Sequence, residues 1–428
     1  MVTAQTADTQ EYPRRILGRG GHGLGSLSGS LAATLLITAV FFNAVLSAIN
    51  AHVIQIDRTE VVFAEVVISA AVAVLVTVNW ARDMRPWLVL SLFVVSMGVA
   101  LALGNDAFTP KYIRDVLEIP LFIMLGMVYR DRNLLKLLCF IQTVVFTATL
   151  IEALTPNLYA WIFDIARYYV NTRDFAQESF WTDSTLFISA FRPSDRFFGF
   201  VDIHRLSSVF LEPVSLGNYC VIITACVLSF WREMTPTLKA YMVFTTVLIL
   251  IGSDGRLAAV TCALLLATSF VFPYLPRFSN ALYLPLALLS GLVAALLFRG
   301  SVGDDFQGRL VGSMQMLSSL DVTSLFGLDA QSATDALDSG ISYFVMTQSF
   351  IGVFAIWLFI ALLPGKDSDA STIYLHSICM FISLTLLVSY SIFSVKIASL
   401  MWFVYGYVYR PQPISLLIKH HKSPFIAR

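Results

Sequence analysis

The chain has 428 residues, of which 57% are hydrophobic and 13% charged, and its mean hydropathy is +0.75. This composition leaves too little polar surface for a water-soluble globule, so most of the chain is expected to lie in lipid. The formal net charge of zero gives no support to nucleic-acid binding. The five cysteines lie inside apolar runs without the paired spacing of a metal site, so neither a disulfide framework nor a zinc site is predicted.

Twelve segments are predicted to be membrane-spanning helices, since a span needs about twenty mostly apolar residues. The first span has no cleavage site behind it and is expected to be retained. The spans cover residues 31–52, 60–80, 86–104, 115–129, 134–153, 207–230, 238–252, 257–275, 281–298, 341–363, 372–390 and 393–409. The predicted fold is an all-α, polytopic transmembrane bundle of about 12 spans, with one domain over 31–410 between tails at 1–30 and 411–428.

The distribution of Lys and Arg predicts the orientation, because basic residues in short loops stay on the cytoplasmic side. With both termini inside, sixteen of the 28 basic residues lie in inner segments and five in short outer loops. The other seven lie in two long segments, 154–206 and 299–340, which this topology places outside. In a bacterial inner membrane these two segments would be periplasmic.

Long ordered loops on a membrane scaffold often carry binding and catalytic residues. Segment 154–206 is rich in aromatic residues, including Tyr168 and Trp181. Amphipathic helices at the interface would explain this, and so would sugar rings stacked on aromatic faces. Segment 299–340 holds six acids and two arginines, so it is not expected to bind phosphate along its whole length.

A run of polar residues at the start of the sixth predicted span is the strongest candidate site. If the run is one helix, Arg205, Ser208 and Glu212 share a face, with Glu212 on the order of 10 Å deeper than Arg205. An acid at that depth is costly in lipid and is expected to face a protein-lined cavity with a partner. Pro213 would loosen the helix by freeing the carbonyl group of residue 209. The alternative is an arginine that anchors the interface and a structural glutamate.

The turn Ser253-Asp254-Gly255-Arg256 is a second candidate. Ser253 or Asp254 is expected to cap the following helix. Arg256 would lie in the first helical turn, where a cation opposes the helix dipole and a nearby anion would relieve the conflict. Helix N–H groups and an arginine together can bind pyrophosphate, although an exposed arginine at a membrane surface is an equally open interpretation.

Three further polar groups have weaker predictions. Asp338-Ser339-Gly340 is expected to cap the tenth span. His204 in its neutral form could act as a general base, or it could be a solvated loop residue. Asp367-Ser368-Asp369 has the spacing of a metal-binding triplet, but it falls in an inner loop and is interpreted as a solvated turn, so no metal site is predicted.

In these features the chain resembles the Wzy-type O-antigen and exopolysaccharide polymerases, which are themselves similar to the O-antigen ligases. The matching motifs are the stretch 205–219, Gly255-Arg256, Leu325-Phe326-Gly327, Asp338-Ser339-Gly340 and Ile351-Gly352. Their order and spacing, with the span count and the two outer segments, carry the resemblance over roughly residues 30–410. The family often places ten residues between an arginine and a glycine, and here eleven separate Arg205 from Gly217.

The resemblance implies transfer of a glycan from undecaprenyl pyrophosphate to a hydroxyl group of a second undecaprenyl-pyrophosphate-linked oligosaccharide. It implies no cofactor, and membrane lipid, a chain-length regulator and an export complex would be further partners. Such a reaction needs cations for the leaving pyrophosphate and a base for the acceptor hydroxyl group. The cations would be Arg205 and Arg256, and the base Glu212, which could instead orient an arginine, or else His204. The expected substrate-binding residues are Ser208, Asp254, Asp338, Tyr168 and Trp181.

Other functions stay open. Ligases rely on a histidine late in the chain, and 299–340 has none, which favours a polymerase. A secondary transporter or lipid flippase would use Glu212 as a proton relay and the arginines as substrate ligands. Such proteins usually have two corresponding halves, and the sequence shows no internal repeat. A structural scaffold would leave Glu212 unexplained.

Overall fold

The computed structural model describes residues 22–105, 108–173, 186, 196–200, 203–298, 306–334, 336, 338–363 and 368–409. Residues 1–21 of the N-terminal tail, the C-terminal tail, Trp181 and Asp367 therefore lie outside the described residues. Residues 22–30, predicted to belong to the N-terminal tail, are instead the start of α1. Regular structure in the described ranges consists of α-helices and short 3-10 turns. The helices are α1 (His22–His52), α2 (Arg58–Val78), α3 (Arg85–Gly104), α4 (Pro110–Val128), α5 (Leu134–Leu154), α6 (Pro156–Phe163), α7 (Ile165–Arg173), α8 (Pro213–Ser229), α9 (Pro236–Ser253), α10 (Arg256–Thr268), α11 (Ser279–Leu297), α12 (Phe306–Ser319), α13 (Val322–Leu325), α14 (Gly340–Leu362), α15 (Asp369–Leu386) and α16 (Val395–Val408).

Each of the twelve predicted spans coincides with one of these helices. Within the described chain, eight helices are long and apolar enough to cross a membrane, namely α1, α2, α3, α5, α9, α11, α14 and α15. Helices α8, α10 and α16 are apolar but shorter. The fourth predicted span corresponds to α4, whose first half carries Lys111, Arg114, Asp115 and Glu118. The prediction of an all-α membrane bundle is confirmed, while the number of spans stays a prediction.

Helices α4 and α16 form the closest pair in the centre of the bundle. They approach where each has a glycine. A Cβ atom on Gly126 would lie 2.0 Å from the carbonyl oxygen of Phe403, and one on Gly406 would lie 1.9 Å from that of Ile123. Helices α2, α3 and α11 instead leave most of their apolar surface unburied, as expected for helices that face lipid.

The start of the sixth predicted span differs from its prediction. Residues Ser208–Phe210 form a single 3-10 turn, Leu211 is in the left-handed region, and α8 begins only at Pro213. The prediction that Arg205, Ser208 and Glu212 share one helical face is therefore wrong. The physical reason is Pro213: as the first residue of a helix, its missing N–H group leaves no hydrogen bond unmade, so it starts α8 and does not loosen a longer helix.

The aromatic segment forms a second small core. Helices α6 and α7 place Tyr159, Tyr168 and Tyr169 against α1, and all three side chains are buried. The Tyr168 hydroxyl group donates to Oδ1 of Asn43 at 2.8 Å. Trp161 is 66% exposed, with its ring 4.6 Å from that of His52. The described tyrosines therefore stabilise the attachment of α6 and α7 and form no open platform for a sugar ring.

Candidate functional site

A cleft that is open to solvent lies where α8, α10 and α12 meet the end of α15 and the segment that follows it. Three arginines from distant parts of the sequence line it: Arg205, Arg256 and Arg309. The remaining lining residues are Val214, Gly217, Asn218, Gly255, Leu257, Ala258, Thr385, Val388, Ser389 and Ser391.

The N-terminus of α10 forms one side of the cleft. Residues Gly255 to Ala258 all line it, and they are the N-cap and first three residues of the helix. The amide groups of a first turn have no partner inside their own helix, and the N-cap residue, Gly255, has no side chain that could cap them. Amide donors and the positive end of the helix dipole attract an anion. Arg256 adds a full charge at the same place.

Two glycines let the helices approach at this point. A Cβ atom on Gly217 would lie 3.1 Å from the Cβ atom of Ala258, which is tighter than side chains normally make, and one on Gly255 would lie 3.6 Å from Cα of Gly217. The absence of a side chain at Gly217 therefore lets α8 pack closely against the first turn of α10.

Arg196 fixes the end of α9 that precedes this turn. Its guanidinium group donates to the carbonyl oxygen of Ile251 at 2.8 Å and to that of Gly252 at 3.4 Å, and it also donates to the carbonyl group of Ile203. A cation at a helix C-terminus donates hydrogen bonds to the last carbonyl groups of the helix and interacts favourably with the negative end of the helix dipole. Arg196 therefore holds the chain before Arg205 against the end of α9.

Asp254 and Arg205 complete this connection. The Asp254 carboxylate is fully buried and accepts hydrogen bonds from the backbone N–H groups of Phe197 and Phe198 at 3.3 and 3.0 Å. Nε of Arg205 donates to the carbonyl oxygen of Ser253 at 3.2 Å. The prediction that Ser253 or Asp254 caps α10 is wrong, because Gly255 is the N-cap residue and Asp254 ends α9. Asp254 is used to bind the preceding loop and does not line the cleft.

The Glu212 carboxylate lies at the start of α8 among four donors. Arg173 at 2.5 Å and the Tyr169 hydroxyl group at 3.0 Å contact Oε1. The Ser215 hydroxyl group at 2.8 Å and Nζ of Lys396 at 3.2 Å contact Oε2. Lys396 also donates to the carbonyl oxygen of residue 210 at 2.7 Å and is 1% exposed. The expected partner of Glu212 is thus present, and it is a pair of cations.

These contacts make Glu212 a poor acceptor for a substrate proton. Burial and then the negative charge of Glu212 raise the pKa of Tyr169 well above its ordinary value, so the phenol stays neutral and donates to the carboxylate. The guanidinium group of Arg173 stacks 4.4 Å above the ring of Tyr169. The geometry therefore favours the second role predicted for Glu212, which is to orient an arginine.

His204 and Ser208 belong to a network around a buried acid, Glu152. The Glu152 carboxylate accepts from the backbone N–H groups of Ser207 and Ser208, and Nε2 of His204 lies 3.5 Å from it. His204 is only 10% exposed, so the interpretation as a solvated loop residue is wrong. The Ser208 hydroxyl group donates to the carbonyl oxygen of Val145 at 2.8 Å and is fully buried. The expected contact of Ser208 with substrate has no support in this arrangement.

Strained backbone is concentrated in the same region. Among the described residues other than glycine, five have positive φ, and three of them, Ser208, Leu211 and Asp254, lie next to the residues discussed above. Such conformations cost on the order of 1 to 3 kcal/mol each and persist where the surroundings impose them. Buried hydrogen bonds to Glu152 and from Phe197 and Phe198 supply that constraint.

The structure thus brings together some of the predicted residues and separates others. Arg205 and Arg256 share the cleft, as predicted. Glu212, His204, Ser208, Asp254 and Tyr168 lie outside its lining. Asp338 is 82% exposed and 3.7 Å from Arg309. The cap of α14 is confirmed, because the Ser339 side chain accepts from the backbone N–H group of residue 342.

Four important residues were missed by the sequence reasoning: Arg309, Arg173, Glu152 and Lys396. Glu152 and Lys396 carried a usable signal, since an ionisable residue inside a predicted span is a functional candidate by default. Arg309 was not predicted because segment 299–340 holds more acids than arginines and was not expected to bind phosphate along its whole length. Arg173 had no signal, because nothing in its neighbours indicates that it meets Glu212.

Comparisons of the chain with protein-family profiles, with curated proteins and with solved structures give no match. The fold and the hydropathy define the class: a multi-pass helical membrane protein. Its function has to be argued from the cleft.

Proposed function

We propose that the protein is a metal-independent glycosyltransferase that polymerises undecaprenyl-pyrophosphate-linked repeat units at the periplasmic face of a bacterial inner membrane. One observation carries the proposal: Arg205, Arg256 and Arg309 line one cleft together with the N-terminus of α10. Guanidinium groups bind phosphate oxygens through paired hydrogen bonds. The site therefore suits a pyrophosphate leaving group.

The proposed reaction is a single displacement at the sugar carbon that carries the pyrophosphate. The acceptor hydroxyl oxygen forms a bond to this carbon while the bond from the carbon to the phosphate oxygen breaks. Negative charge then develops on the pyrophosphate, where the arginines and the amide groups of α10 stabilise it. Undecaprenyl pyrophosphate leaves with that charge.

The acceptor proton is proposed to pass through a water molecule to His204, because His204 precedes Arg205 in the chain but lies outside the lining of the cleft. The nearby Glu152 carboxylate would stabilise the imidazolium form that results. Glu212 is proposed to hold Arg173 and Lys396 in place. Because arginines supply the charge that a metal would otherwise supply, polymer synthesis in reconstituted membranes is expected to survive EDTA. Loss of turnover that Mg²⁺ restores would contradict this mechanism.

Glycan sizes in a deletion strain of the organism that encodes the protein test the proposal. The strain is expected to retain single lipid-linked repeats, and a plasmid copy of the wild-type gene should restore long polymer. Arg256→Ala should not restore it, whereas Arg167→Ala, at an exposed position on α7, should. A ligase would instead leave long polymer on the lipid carrier, and polymer of normal length in the deletion strain would reject the proposal.

A transporter of lipid-linked glycan is the second candidate, and one observation favours it. Helix α14 is interrupted at Ser349, whose φ of 61° and ψ of 158° are not helical. Broken helices often bind substrates in secondary transporters. In that case the deletion strain would accumulate repeats on the cytoplasmic face, where a periplasmic glycosidase could not reach them.

A further inference from the structure

Uncharged polar groups line the cleft where α8 meets the last turn of α15 and the segment after it. They come from Asn218, Thr385, Ser389 and Ser391, which together we call the polar wall. Nδ2 of Asn218 donates to Oγ of Ser391 at 2.7 Å, and the backbone N–H group of Ser391 donates to Oγ of Ser389 at 3.1 Å. The Thr385 hydroxyl group is buried and has no hydrogen-bond partner among the described residues.

These contacts leave specific groups available to a ligand. The Asn218 amide uses its nitrogen on Ser391, so its carbonyl oxygen remains as an acceptor. The Ser391 hydroxyl group accepts that bond, so its own hydrogen remains as a donor. The polar wall thus offers acceptors and donors side by side without a charge. Such a surface matches neutral hydroxyl groups, which both donate and accept, better than a phosphate group, which only accepts.

The polar wall is also fixed in position. Gly340 begins α14 against it, and a Cβ atom there would lie 2.1 Å from the carbonyl oxygen of Ser389. Asn218 is held one turn into α8, directly after Gly217. Fixed hydrogen-bonding groups discriminate between ligands more strongly than mobile ones, because they cannot rearrange to accept a wrong partner.

We propose that the polar wall binds the hydroxyl groups of the sugar joined directly to the pyrophosphate, and that Asn218 reads the configuration of that sugar. The inference rests on the proposed function, because it assigns the pyrophosphate to the arginines of the same cleft. The cleft also has the apolar lining residues Val214, Leu257 and Val388, which would face the carbon-bound hydrogens of the ring. The arginines then account for affinity for the lipid pyrophosphate, and the polar wall accounts for sugar specificity.

Binding to the full-length protein in nanodiscs tests this division. The probes are farnesyl pyrophosphate alone and farnesyl pyrophosphate with glucose, galactose or N-acetylglucosamine on its terminal phosphate. Wild-type protein is expected to bind at least one sugar-bearing probe about tenfold more tightly than the bare one, as one or two net hydrogen bonds would give. The Kd values of the glucose and galactose probes should differ, because the two sugars differ in the direction of one hydroxyl group and the proposed role of Asn218 is to distinguish such directions.

The variants separate the two parts of the cleft. Asn218→Ala and Ser391→Ala should remove the sugar-dependent gain and leave the Kd for bare farnesyl pyrophosphate within about twofold. Arg256→Ala should weaken the binding of all four probes. Asn157→Ala, at an exposed position on α6, is the matched control and should change nothing. Ser391→Ala removes a single hydroxyl group, so it provides the test if Asn218→Ala does not fold.

The outcomes distinguish this inference from the proposed function. The inference is overturned if no sugar adds affinity in the wild-type protein. It is also overturned if the polar-wall variants weaken the bare probe as much as the sugar-bearing ones. If the wild-type protein binds none of the four probes, the pyrophosphate site fails, and the proposed function fails with it.

Discussion

Two cations and two hydroxyl groups surround the Glu212 carboxylate, and this crowding determines what a substitution will do. Glu212→Gln replaces one acceptor oxygen with an N–H₂ group that faces donors, and it leaves Lys396 without its counter-charge. Breaking a buried ion pair in this way costs on the order of 3 to 5 kcal/mol. We expect lower thermal stability in detergent together with loss of polymer.

A double variant separates a positioning role for Glu212 from a role as base. Lys396→Met removes the orphaned charge, so Glu212→Gln with Lys396→Met should recover most of the lost melting temperature. A positioning role predicts that part of the turnover returns with the melting temperature in the double variant, whereas a role as base predicts that the melting temperature returns and the turnover does not. That pattern would contradict the positioning role.

Arg309 was not expected to take part, and its place in the cleft predicts a clear phenotype. Arg309→Ala should lower the rate of polymer synthesis about a hundredfold, as loss of one well-placed donor to a developing charge commonly does. Arg309→Lys should recover only part of the rate, because an ammonium group cannot make the paired contact. Rates in reconstituted membranes are the measurement, with Arg167→Ala as control. Normal rates for Arg309→Ala would leave Arg205 and Arg256 as the only arginines of the proposed site.

Between helices, the crossing of α4 and α16 is too close to accept an added methyl group at either glycine. Gly126→Ala would place a methyl group 2.0 Å from the carbonyl oxygen of Phe403, so the two helices would have to separate. Overpacking of this kind typically costs about 1 to 3 kcal/mol. We expect a lower melting temperature and less protein in the membrane. Gly312→Ala on α12 is the matched control, since a Cβ atom there meets nothing within 4 Å.

For the whole molecule, the testable property is its orientation. The excess of basic residues in the predicted inner segments places segments 154–206 and 299–340 on the periplasmic side. Reporters fused after residues 180 and 320 should therefore both give a periplasmic signal. A cytoplasmic signal at either site would reverse or break the predicted arrangement, and with it the proposed location of the reaction.

The predictions that succeeded depend on properties that are local in the sequence. Hydropathy over about twenty residues predicts where a helix can cross lipid, and every predicted span is a helix. The cap at Ser339 follows from its neighbours in the same way. The predicted start of α8 was wrong because the periodic pattern of polar residues continues through residues 205–212. In the structure, backbone hydrogen bonds from Ser207 and Ser208 to Glu152, more than fifty residues earlier, hold this stretch in a turn.

The sequence by itself therefore determined the class of the protein and the approximate positions of twelve of its helices, and it singled out two of the three arginines that line the cleft. Only the tertiary structure decided that Arg309 joins Arg205 and Arg256, that Lys396 and Arg173 neutralise Glu212, and that Arg196 fixes the turn before α10. The physical reason is the range of each interaction. Helix formation and burial in lipid depend on neighbouring residues, whereas these polar contacts join segments that meet only when the bundle packs.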